Sequence, residues 1–155
     1  MSKKMAIIAT KGTLDMGYPP FILASTAAAL GYDVQVFFTF YGLQLLKKDL
    51  SDVKISPLGN PAMPMPVPMP VLVQVLPGME SMATMMMKDK LKKKGVASLE
   101  ELRSLCQEAD VKFVACQMTV DLFEFEKSDF IDGIEFGGAA TFMEFAGETD
   151  ICLFV

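Results

Sequence analysis

Cysteine is the residue type in this sequence best equipped for chemistry, and histidine is missing altogether. The thiols are Cys106, Cys116 and Cys152. Without histidine there is no Ser-His-Asp or Cys-His nucleophile arrangement, and no His-ligated metal site. The three cysteines form no CxxC pair, so neither structural zinc nor an iron–sulfur cluster is expected. No metal and no cofactor is assigned. A reactive thiol in this chain must be activated by backbone dipoles or by lysine. Cys116 is in a position where that can happen. Residues 111–115 (Val-Lys-Phe-Val-Ala) form a β-branched and aromatic run that reads as a buried strand. From about Thr119, Val120 and Phe123 fall at helical spacing. Cys116 therefore lies where a strand ends and a helix begins. Ligands bind outside the carboxyl ends of strands in open α/β sheets. A thiol just ahead of a helix N-terminus has its thiolate favoured by the macrodipole and by unpaired N–H groups. The other reading is a small buried hydrophobe, the usual state of an intracellular cysteine. Position alone leaves both open.

The elements that would position this thiol alternate along the chain. Residues 5–10 read as a buried strand that runs into the polar turn Lys11-Gly12-Thr13. Pro19 and Pro20 suit a first helical turn, where a missing N–H costs nothing. Residues 21–30 continue that helix, and Gly31 suits its C′ position. A second strand, about 33–38, ends in Thr39-Phe-Tyr-Gly42. This is a βαβ unit with a right-handed crossover. It brings Lys11, Tyr41 and Cys116 to one edge of a sheet. Lys-Gly-Thr lacks the spacing of a phosphate loop, so Lys11 is either a site cation or a solvated loop lysine. A short helix at 43–50 and a strand around 53–56 follow.

From 55 to 79 there is no charged residue, and Pro61, Pro64, Pro66, Pro68, Pro70 and Pro77 interrupt the run. A membrane-spanning helix needs roughly 20 continuous apolar residues, which these prolines exclude. The stretch reads as polyproline II or an extended arm, packed on its own domain or offered to another surface. Residues 81–94 read as a helix with Met79, Met82, Met85 and Met86 along one side and a lysine-rich end closed by Gly95. Those lysines suit the helix dipole; a membrane-surface contact is the minority reading. Ser98-Leu-Glu-Glu101 is a capping box, with Leu99, Leu102, Leu105, Cys106 and Ala109 on the inner face of its helix. Residues 139–146 form a last helix with Ala139, Phe142, Met143 and Ala146 buried, and 150–155 form a closing strand that buries Cys152.

Composition narrows the class. The chain has 155 residues, 52% of them hydrophobic, which suits one globular domain with a substantial core. A net charge of −5 without a basic face argues against nucleic acid as a partner. Lys3 and Lys4 precede only a brief apolar run, so no signal peptide is expected. An odd cysteine count suits a reducing cytoplasm. The expected architecture is a single three-layer α/β domain, 1–155, with a mostly parallel sheet and a flavodoxin-like arrangement.

Cys116-Gln-Met-Thr-Val-Asp-Leu-Phe resembles the cysteine motif of the DsrE/DsrF-like family, in its peroxiredoxin-like, type-two DsrE branch. The resemblance extends to Lys11-Gly-Thr-Leu-Asp-Met-Gly-Tyr-Pro-Pro20, Phe37-Phe-Thr-Phe-Tyr-Gly42, Gly59-Asn-Pro-Ala-Met-Pro-Met-Pro66 and Phe130-Ile-Asp-Gly-Ile-Glu-Phe-Gly-Gly138. It implies a small α/β sulfur-relay protein, a sulfurtransferase or sulfur carrier, that bears a persulfide or thiosulfonate on Cys116. Homo-oligomers and a TusA-like sulfur carrier partner are implied with it. Lys11, Gly12, Thr13, Tyr41 and Gln117 are the substrate-binding candidates around that cysteine. Sulfur exchange needs an exposed, activated thiolate and no histidine. Two other classes remain: a scaffold or regulatory subunit with an idle Cys116, and a small-ligand-binding domain that uses the same sheet edge.

Overall fold

The structure is a computed structural model that describes residues 1–57, 66–67 and 70–155. Most of the proline–methionine stretch, including nearly all of the 59–66 motif, lies outside those residues. Five strands pair in parallel: β1 (Lys4–Ala9), β2 (Asp33–Phe38), β3 (Lys112–Cys116), β4 (Glu135–Gly137) and β5 (Ile151–Phe154). Their order is β4-β3-β2-β1-β5. The helices are α1 (Leu14–Ala29), α2 (Val71–Gln74), α3 (Met79–Lys93), α4 (Leu99–Glu108), α5 (Gln117–Leu122) and α6 (Ala139–Ala146).

Strand order and helix layers follow from one rule. From β1 to β4 the chain steps in one direction across the sheet, and right-handed crossovers keep those connections on one face. There Phe21 of α1 and Leu99 and Cys106 of α4 pack against Ile7, Val36, Phe38 and Phe113. The step from β4 to β5 runs back past β3, β2 and β1, so α6 falls on the opposite face. Its Phe142 stacks on Phe37 at 4.8 Å between ring centroids.

Several local readings are corrected. Helix α1 begins at Leu14, so Pro19 and Pro20 lie inside it. Its start is fixed by distant groups: the Leu14 N–H donates to the Lys54 carbonyl (2.7 Å), and Asp15 accepts from the Ser56 N–H and hydroxyl. Residues 53–56 form no strand and serve as this clamp instead. The 43–50 helix is a 3-10 helix at Phe40–Leu46. Arg103 is buried on α4 while Leu105 is exposed, because the guanidinium donates to the carbonyls of Leu45 (2.9 Å) and Lys47 (2.6 Å) at that helix's end. Met143 faces outward, and so do Met82, Met85 and Met86 on α3, where Thr84 turns inward. Cys152 is exposed: β5 is an edge strand, and α6 covers the middle of that face.

Candidate functional site

Where neighbouring strands send their connections to opposite faces, a crevice opens at their carboxyl ends. Here β3 leads to α5, whose Val120 joins the α1 side, and β4 leads to α6 on the other side. The crevice therefore lies between β3 and β4. Cys116 is the last residue of β3, is paired with Gly137 of β4, and is the N-cap of α5. The sequence reading delayed the helix to about Thr119; it begins at Gln117, so the thiol sits directly at the helix end.

The Cys116 side chain packs among Ala6, Phe37, Val114 and Phe142, and at 5% exposure the residue is buried, not exposed as sulfur exchange leads us to expect. Phe38 of β2 pairs with Ala115, so Thr39 sits beside Cys116 at the sheet edge. Thr119, fully buried, lies one turn into α5. The two hydroxyl oxygens are 3.2 Å apart, and the Phe40 N–H donates to Thr119 Oγ1 at 3.2 Å. Burial pushes the Cys116 thiol up. The polar groups around it, the Thr119 hydroxyl and N–H first, then the Thr39 hydroxyl and the Met118 N–H, outweigh that burial, and the thiol is held below its ordinary value.

The other thiols differ. Cys106 is fully buried on α4, its S–H donates to the Phe21 carbonyl (3.4 Å), and burial pushes its pKa to about 12. Cys152 lies on the exposed edge strand.

Of the other site candidates, Lys11, Gly12, Thr13 and Tyr41 line one cleft of about 360 Å³ with Met16, Gln44 and Ser56. The loops close tightly there, because a Cβ on Gly12 would collide with the Tyr41 carbonyl oxygen. Cys116 is not part of that lining. β2 separates β1 from β3, which puts roughly 10 Å between the two sites at about 4.8 Å per strand. Tyr41 links them, since its ring stacks on Phe123 just past α5 at 6.1 Å. Gln117 instead donates to Asp121 within α5 (2.8 Å). Thr39 and Thr119 were missed by the sequence reading. A signal existed: in Cys-x-x-Thr from an N-cap, the threonine sits one helical turn beyond the cysteine.

Residues 1–154 match the model of the DsrE/DsrF/DrsH-like family. The chain belongs to that family. A relative from Allochromatium vinosum, named sulfur carrier protein DsrE2, is 69% identical over 99% of this chain and 98% of its own. The Bacillus subtilis protein YrkE is 31% identical over the same shares. Among solved structures, the ychN protein from E. coli superposes with a TM-score of 0.57 at 12% identity, covering 100% of both chains, a likeness of fold alone. This DsrE-family chain has, among its described residues, no helix long and apolar enough to cross a membrane.

Proposed function

We propose that this protein is a sulfur-relay protein that takes sulfane sulfur onto Cys116 and passes it to an acceptor thiol. The observation that carries the reading is a thiol at the crevice between β3 and β4, ringed by hydroxyl and N–H donors that favour its anion. The name of the 69% identical relative supports the same chemistry. In loading, the Cys116 thiolate attacks the outer sulfur of a donor persulfide. The Sγ–S bond forms, the donor S–S bond breaks, and the donor thiolate leaves with the electron pair. Unloading is the same displacement by an acceptor thiolate, and neither step changes the net oxidation state. The cleft at Lys11, Gly12, Thr13 and Tyr41 is assigned to the group bearing the sulfur, with Gln117 at the rim of Cys116. A thiosulfonate cargo would draw more on the Lys11 charge. A TusA-like carrier fits as donor or acceptor, and the cytoplasm keeps such thiols reduced.

The whole chain, read as one domain, works as a homo-oligomer in this proposal. Leu72 and Val75 around α2, with Met85 and Met86 on α3, are large apolar side chains left exposed, and a second copy covers them in this proposal.

The test is intact mass after incubation with polysulfide, thiosulfate or tetrathionate, followed by transfer to a thiol. A Cys152→Ser background removes the exposed thiol. One sulfur-bearing adduct is expected there, retained in Cys106→Ser and lost in Cys116→Ser. Transferable sulfur that survives in the Cys116 variant would sink the mechanism.

A further inference from the structure

We infer that Thr39 and Thr119 are positioning residues that make Cys116 a good leaving group, so that they act chiefly as sulfur departs the protein. This rests on Cys116 being the sulfur-bearing residue. Thr119 Oγ1 already accepts from the Phe40 N–H, and the two threonine oxygens stand 3.2 Å apart. One hydroxyl proton is used in the bond between them, which leaves the other proton free for the neighbouring sulfur. A single threonine would offer a rotor with several alternatives; the pair, with one oxygen tied to the backbone, offers a directed donor.

The backbone holds this arrangement at a cost. Phe40 has φ +49°, in the left-handed region that a bulky side chain rarely adopts. Such conformations persist where surrounding contacts over-determine them, and they cluster at functional sites. Here the contacts are the Phe40 N–H to Thr119 and the edge-on packing of the Phe40 ring against Phe123 at 6.3 Å. The turn that carries Thr39 is thereby tied to the helix that carries Thr119.

The two forms of the protein place negative charge differently. In the empty form it sits on Sγ, at the strand end beside Thr39 and one helical turn before Thr119. In the persulfide it sits on the outer sulfur, about 2 Å further out. The hydroxyls therefore favour the empty form. When an acceptor thiolate attacks the outer sulfur, a new S–S bond forms to the acceptor. The Sγ–S bond breaks, and its electron pair returns to Sγ where the hydroxyls receive it. A thiol of lower pKa leaves faster but attacks less well once ionised.

The experiment compares Thr39→Val, Thr119→Val and Thr119→Ser in the Cys152→Ser background. Iodoacetamide alkylation of Cys116 is followed against pH. Single-turnover transfer from the loaded protein to dithiothreitol is timed. In the valine variants the alkylation inflection moves to higher pH. For each tenfold loss of thiolate at low pH, the high-pH plateau rises about threefold. Transfer slows severalfold, and Thr119→Ser restores both readouts. General disruption of the fold would also uncover the 5% exposed thiol and speed its alkylation, so urea unfolding of each variant and the rescue by Thr119→Ser separate the two causes. Valine variants that load sulfur with an unchanged inflection and unchanged transfer rate overturn the inference. Failure of the unmodified protein to load on Cys116 overturns the sulfur reading itself, and this step with it.

Discussion

Gly42→Ala is the sharpest perturbation of the frame that holds the site. The Cβ it adds would collide with the Ala9 carbonyl oxygen and stand 2.8 Å from the carbonyl carbon and 3.3 Å from the Thr10 nitrogen. Backbone cannot yield as a flexible side chain does, so the β1 and β2 loops must part. The same Ala9 oxygen accepts the Thr39 N–H at 3.1 Å. Overpacking of this kind costs about 1–3 kcal/mol, and weakening that hydrogen bond adds about 1 kcal/mol. The expected total is about 3 kcal/mol. For a chain of this size that lowers Tm by about 6–12 °C. Urea unfolding with an unchanged slope measures it. Displacing Thr39 should also move the Cys116 alkylation inflection to higher pH. Gly31→Ala is the control, because Gly31 is at φ +85° with open space around it. It costs about 1–2 kcal/mol through strain alone and should leave Cys116 untouched. A Gly42→Ala protein within about 1 kcal/mol of the unmodified one would refute the reasoning.

Light scattering should find the unmodified protein as an oligomer, and Met85→Asp with Met86→Asp should shift it toward monomer; a monodisperse unmodified monomer would defeat the self-association proposal. Asp15 gives a pH-dependent contribution. Burial pushes its carboxyl up, but the Ser56 N–H and hydroxyl, with help from Thr13, hold it below the usual carboxylate value. Because the folded value is the lower one, the stability is fully present above the unfolded value of about 3.9 and is lost as pH falls through the folded one. The stability gap to Asp15→Asn should therefore be full at neutral pH and close on acidification below about pH 4; a gap independent of pH would count against it.

Local signals carried much of the fold. The strands at 33–38 and 111–115 were legible from β-branched and aromatic runs, because buried parallel strands read as continuous apolar stretches. The Ser98–Glu101 capping box forms as its spacing requires, with the Ser98 N–H to Glu101 at 2.9 Å and the Glu101 N–H to Ser98 at 3.2 Å. Gly31 and Gly95 end their helices at positive φ. β4 was not legible, since Glu135–Gly137 is three residues long and shows no usable period.

The sequence by itself determined the α/β class, the family and the position of Cys116 at a strand-to-helix junction, since each depends on residues close together in the chain. Only the tertiary structure decided what surrounds that thiol. Thr39 and Thr119 are 80 residues apart in sequence and meet because β2 and β3 are neighbours in the sheet. Likewise, α1 starts at Leu14 because residues 54–56 return to clamp it, and no propensity of 13–20 encodes that. Cys152 has a buried strand's sequence but an edge strand's surroundings, because exposure depends on which element covers a face. Local periodicity states which residues avoid water; strand order and crossover direction decide which of them succeed.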